Sequence, residues 1–129
     1  MKLKNILLVV QDIEESKAFY KDLFGLPVVM DFGENVILLE GLVLQQKNLW
    51  EKSIEKEVIF SGHDAELYFE ENDMDRFLQK LENSRYPVEY ITKDQINEAG
   101  QRVIRIYDPD HHIIEIKEER KWKDCVQNV

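Results

Sequence analysis

Two carboxylates in strand-like runs, three histidines and one cysteine are the side chains of this 129-residue sequence best suited to chemistry. Glu66 lies in the run Ala65–Glu70 and Glu115 in the run His112–Lys117. Two carboxylates brought within reach can share a proton, which raises one pKa and makes a general base. They can also hold a hard cation, loosely and with water completing the shell. The histidines offer less. His63 lies in a Ser-Gly-His-Asp loop, while His111 and His112 are adjacent. Neighbouring side chains on a strand point to opposite faces, so that pair cannot chelate one ion as a helical i, i+4 pair does. All three read as surface or turn histidines. Cys125 stands alone near the C-terminus; it supports neither an intramolecular disulfide nor a thiolate zinc site, and reads as a free thiol in a frayed tail.

Composition narrows the partners. Seventeen Lys and Arg against 26 Asp and Glu leave a formal charge of −9, with no basic run to offset it. Nucleic acid and anionic membranes are bound through clustered basic residues, so neither is an expected partner. A chain with 43% apolar and 33% charged residues is too apolar for disorder, and its length suits one domain spanning 1–129. The apolar run near the N-terminus, Ile6–Val10 with Leu3, is too short for a signal-peptide core or a membrane span. The expected location is cytoplasmic.

The elements that position these groups occur twice. Asn5–Val10 reads as a buried strand, and Asp12 with Glu15 has capping-box spacing before a helix with Ile13, Ala18, Phe19, Leu23 and Phe24 on its apolar face. Gly25 is placed to end that helix. Strand-like runs follow at Val28–Asp31, Val36–Leu39 and Leu42–Gln46. After a polar connector, Lys47–Glu57, the order returns: a strand at Ala65–Glu70, a helix capped at Asn72/Asp73, an extended segment from Pro87, and strands at Arg102–Tyr107 and His112–Lys117. The offset is 61 residues at Asp12/Asp73, 60 at Pro27/Pro87 and 67 at Val36/Val103. A near-constant offset across three kinds of landmark marks an internal repeat. The expected fold is α+β: two βαβββ modules, about 1–56 and 57–120, forming a curved incomplete barrel with a C-terminal tail at 118–129. A generic α+β sandwich of the ferredoxin-like kind is the alternative.

Three passages resemble the vicinal oxygen chelate superfamily, which includes glyoxalase I, bleomycin-resistance proteins and extradiol dioxygenases. They are the first strand and helix, Ile6–Tyr20; the second module's strand and helix start, Glu66–Asp75; and Tyr107-Asp108-Pro109-Asp110-His111-His112-Ile113-Ile114-Glu115-Ile116. The last is similar to the family's DPDG turn followed by an apolar-Glu-apolar triplet, with His111 and His112 in place of the usual Gly and polar residue. The resemblance covers about residues 1–118. In metal-dependent members it implies four inward-facing ligands, whose stations here hold Asn5, Glu66, Glu115 and Val43. Asn5 is a weak neutral donor, Val43 supplies nothing, and only Glu115 keeps the expected identity. No metal or other cofactor is therefore expected, with Glu66 and Glu115 as the weak candidates for a divalent ion.

Strand alternation then assigns the cavity lining. Asn5, Gln45, Glu66, Tyr68, Gln101, Arg105 and Glu115 are the expected ligand-binding residues, with Arg105 placed inward by the resemblance. A lone buried carboxylate is costly, so Arg105 is the natural partner for Glu115 or Glu66. Trp50, in the connector, can lid the cavity or anchor a dimer; Trp122, in the tail, can dock on a partner subunit or on the domain's own surface. The resemblance implies a metal-independent protein, similar to bleomycin-resistance proteins, binding a small molecule as a homodimer. The alternatives are a divalent-metal-dependent lyase, isomerase or dioxygenase using Glu66 and Glu115, and an enzyme that uses the carboxylates alone.

Overall fold

The computed structural model describes residues 1–60 and 62–120 and divides the chain into two compact units, Met1–Ser61 and Gly62–Val129. Trp122 and Cys125 lie outside the described residues.

The first unit runs β1 (Ile6–Val10), α1 (Ile13–Phe24), β2 (Val28–Asp31), β3 (Asn35–Leu38), β4 (Leu42–Gln46) and α2 (Lys47–Ile54). Its sheet has the order β1-β4-β3-β2, with β1 and β4 parallel and the other pairs antiparallel. Helix α1 starts where the Asp12 carboxylate accepts from the Glu14 and Glu15 N–H groups. It ends where Gly25 turns left-handed at φ +65° and donates its N–H to the Lys21 carbonyl. Its buried residues Ile13, Phe19, Tyr20 and Leu23, with Val10, Val36, Leu38 and Leu44 of the strands, make the core.

The second unit repeats the plan with β5 (Glu66–Glu71), α3 (Met74–Glu82), β6 (Tyr90–Ile96), β7 (Arg102–Tyr107) and β8 (Ile113–Glu118), in sheet order β5-β8-β7-β6. Asp73 caps α3 by accepting from the Arg76 N–H, as Asp12 caps α1. Met74, Phe77 and Leu81 are buried on α3, and Ile104, Ile106, Ile114 and Ile116 are buried on the strands. Even the irregularities recur: the edge strand slips register between Val28 and Met30 in one unit and between Tyr90 and Thr92 in the other.

The α+β class and both βαβββ modules are as the sequence implies. The connector is not. Lys47–Ile54 is a helix, with Leu49 and Trp50 half-buried, closed by Glu55 in a left-handed conformation. Its polarity hid it, because six of the eleven residues of Lys47–Glu57 are charged and only one side is covered. No helix among the described residues is long and apolar enough to cross a membrane.

Candidate functional site

Register places four side chains of the second unit in one row across its sheet. Tyr68 on β5 pairs with Glu115 on β8, Glu115 with Arg105 on β7, and Arg105 with Thr92 on β6. Paired residues share a face. The opposite face carries the buried isoleucines, so this row lies on the side away from the core.

The row is polar and internally bonded. Arg105 Nη2 lies 2.6 Å from Glu115 Oε1, and Arg105 Nη1 donates to Thr92 Oγ1 at 3.2 Å. Lys117, two residues on from Glu115 along β8, brings its Nζ to 3.7 Å from Glu115 Oε2. The same ammonium stands 5.3 Å from the centroid of the Tyr68 ring. These neighbours leave Glu115 only 6% exposed, a burial that a carboxylate tolerates because both oxygens face cations. Tyr68 remains 48% exposed. Partial burial, then the negative charges of Glu70 and Glu115, push its phenol pKa above the usual value, so the ring stays neutral.

The first unit holds the same row with different chemistry. Leu7 pairs with Val43, Val43 with Ile37, and Ile37 with Met30, so every polar group of the second row has an apolar counterpart. The next row along is Val9, Gln45 and Asn35; Gln45 Nε2 donates to Asn35 Oδ1 at 2.8 Å. Gln45 Oε1 is buried with no hydrogen-bond partner among the described residues.

The other expected residues have local work. Asn5 Nδ2 donates to the Gly41 carbonyl at 2.7 Å, fastening the turn before β4. Gln101 sits at the mouth of the β6–β7 turn, where its Nε2 donates to the Glu118 carbonyl and its N–H to Asn97 Oδ1. Trp50 is half-buried on α2, among charged residues that flank a polar cleft of about 640 Å³ lined by Lys47, Glu51, Lys52 and Val58. That cleft mixes solvated charges of both signs and holds no convergent buried group, so the chemistry lies on the sheet face instead. Glu66 is exposed at the start of β5, opposite Ile113 and on the face of Tyr68. Lys117 and Thr92 are the site residues that sequence reading missed. Lys117 carried a signal, two residues from Glu115; Thr92 carried none, because register slips on both sides of it break the alternation.

The histidines take separate partners. His63 Nε2 meets the Tyr107 hydroxyl at 2.6 Å, and His111 Nε2 lies 3.1 Å from Glu89 Oε2. His112 Nδ1 lies 2.7 Å from Asp108 Oδ2, while Asp108 Oδ1 accepts from the Asp110 and His112 N–H groups. Asp108, Asp110 and His112 bring ligand atoms within 4.8 Å of one another, but the carboxylate of Asp108 is already engaged by the turn it organises. Burial opposes a charge on His112, yet the Asp108 hydrogen bond and the negative charges of Asp108 and Asp110 outweigh it and raise its pKa.

This duplicated plan, with its polar and apolar rows, can be compared with known proteins. The family described as Glyoxalase-like domain matches residues 3–120. The chain belongs to that family. A similar protein is YraH of Bacillus subtilis (strain 168), described as uncharacterized; it is 32% identical over 90% of this chain and 97% of its own. Among solved structures, a protein of unknown function from Agrobacterium tumefaciens str. C58 is 35% identical with a TM-score of 0.80, covering 93% of this chain and 95% of its own. A glyoxalase-related enzyme from Fulvimarina pelagi shares the fold at 19% identity, with a TM-score of 0.74 over 92% of this chain and 88% of its own.

Membership raises the question of the superfamily's metal, and this glyoxalase-like chain does not fit one. Its first module offers Val43, without a donor atom, and Asn5, whose amide nitrogen is spent on Gly41. Its second offers Glu66, exposed, and Glu115, whose oxygens face the Arg105 guanidinium and the Lys117 ammonium. A divalent ion at Glu115 would have to displace a cation already at hydrogen-bond distance, and no imidazole stands at any of the four stations.

Proposed function

We propose that the chain is a metal-independent, glyoxalase/bleomycin-resistance-like protein that binds a small molecule on the open sheet face carrying Tyr68, Arg105 and Glu115. The contact that supports this reading is the 2.6 Å ion pair between Arg105 and Glu115. It neutralises the one carboxylate that keeps the expected ligand identity, and it leaves the Arg105 side chain 38% exposed to meet a ligand. Neighbouring aromatic, ammonium and carboxylate groups give that face the few convergent polar contacts around which ligand sites are built. A homodimer in the cytoplasm belongs to this reading, and light scattering on the purified protein measures the first part of it. The competing reading is a divalent-metal-dependent lyase, isomerase or dioxygenase, favoured by Glu115 at its station and opposed by the cations facing it.

Native mass spectrometry of protein purified from untreated extract tests the proposal. The expected spectrum shows an organic adduct that diminishes in Arg105→Ala. Turnover that requires an added divalent ion and disappears in Glu115→Ala would overturn it.

A further inference from the structure

We propose that the first unit's sheet face binds a neutral carboxamide, a primary or secondary amide whose N–H donates to Gln45 Oε1. This goes beyond the reading above and concerns the first unit alone.

Two register rows define the face. Leu7, Val43 and Ile37 form one, and Val9, Gln45 and Asn35 form the next. The residues that alternate with them, Val36, Leu38 and Leu44, are buried in the core, so both rows lie on the side away from it. None of the six side chains is charged, and the two amides are the polar groups among them. Gln45 Nε2 donates to Asn35 Oδ1 at 2.8 Å. Gln45 Oε1 is shielded from solvent and has no hydrogen-bond partner among the described residues.

A carbonyl removed from water and given no donor costs free energy, and native chains leave few such groups without a role. The donor that answers this one must be neutral. An ammonium among aliphatic side chains, with no carboxylate facing it, costs more in lost hydration than one hydrogen bond returns. A carboxylate or an ester brings a second acceptor against the first. An amide fits, because its planar edge carries a donor beside an acceptor. Gln45 presents the complement: its carbonyl beside an Nε2 that keeps a second N–H. The residue as a whole is only half-buried, and the last torsion of a glutamine is soft, so a small rotation turns the oxygen toward an incoming donor. The ligand's hydrocarbon part then covers Leu7 and Ile37, which are also half-buried.

Isovaleramide, methyl isovalerate and isovalerate share one branched hydrocarbon and differ at the polar end. Each is titrated into the full-length protein and followed by NMR through the methyl signals of Leu7, Val43 and Ile37 and the side-chain amide of Gln45. The amide is expected to shift these signals and to bind about tenfold more tightly than the ester, with the carboxylate weakest. Gln45→Met keeps the shape and removes the acceptor. It should abolish the amide's advantage while the melting temperature stays level or rises, since no unpaired carbonyl is left to bury. Equal or tighter binding of the ester or the carboxylate overturns the amide assignment. An advantage that survives in Gln45→Met overturns the site, and a lowered melting temperature there shows the carbonyl already satisfied and overturns it too. Isovaleramide that leaves these signals unmoved overturns the whole inference; an organic adduct sensitive to Arg105→Ala would still uphold the separate reading of the second unit.

Discussion

Arg105 and Glu115 are cross-strand partners whose charged ends meet at 2.6 Å, while their counterparts in the first unit, Ile37 and Val43, are a plain aliphatic pair. The same station of one repeated sheet thus holds an ion pair in one copy and apolar contact in the other. A buried carboxylate that loses its partner is strongly destabilising, whereas replacing both partners by apolar residues is often neutral.

The repeat supplies its own replacement. Arg105→Ala should cost about 2 kcal/mol, below the fully buried range because Arg105 is partly exposed and Lys117 remains near Glu115. The double variant Arg105→Ile with Glu115→Val, copying the first unit, should stay within about 1 kcal/mol of the parent. Urea unfolding of the three proteins checks this. A double variant as unstable as the single one would show that the pair holds the sheet together by more than charge compensation.

Part of this site could be read from alternation, once the resemblance had set which face of β7 carries Arg105. Arg105, Glu115, Glu66 and Tyr68 fall on the expected face because β5, β7 and β8 keep a period of two without interruption. Thr92 was illegible, since the slips in β6 destroy that period. Asn5 and Gln101 also sit at strand ends of suitable parity, but their amides turn to Gly41 and Glu118, contacts set by turns 36 and 17 residues away that no local pattern encodes. Helix α2 was missed for another reason. A helix covered on one side, with none of its residues buried and only Leu49 and Trp50 among its half-buried ones apolar, looks like a polar linker in sequence.

Helix α3 closes the second unit's core with three buried residues, Met74, Phe77 and Leu81. Phe77 on α3 is 5% exposed, and Phe77→Ala removes the largest of these side chains. The expected loss is about 3–5 kcal/mol. Thermal unfolding followed by circular dichroism measures it; a loss under about 1 kcal/mol would mean that α3 does not close this core.

The β7–β8 turn should make stability depend on pH. The His112 pKa is raised in the folded chain, because the Asp108 bond and the charges of Asp108 and Asp110 outweigh burial. Its contribution is therefore complete below the unfolded histidine value of about 6.5, and is lost as pH rises through the higher folded value. The stability gap between the parent and His112→Gln should be widest at mildly acidic pH and shrink in alkaline buffer. A gap that widens with rising pH would contradict the assignment.

Metal content is the most direct measure of whether cations of the chain itself have taken over the glyoxalase-like metal station. Protein purified without chelator and without a metal-affinity tag is analysed by inductively coupled plasma mass spectrometry. The expected result is nickel, zinc, iron and manganese at background level in both the parent and Glu115→Ala. One such ion per chain in the parent, absent from Glu115→Ala, would contradict it.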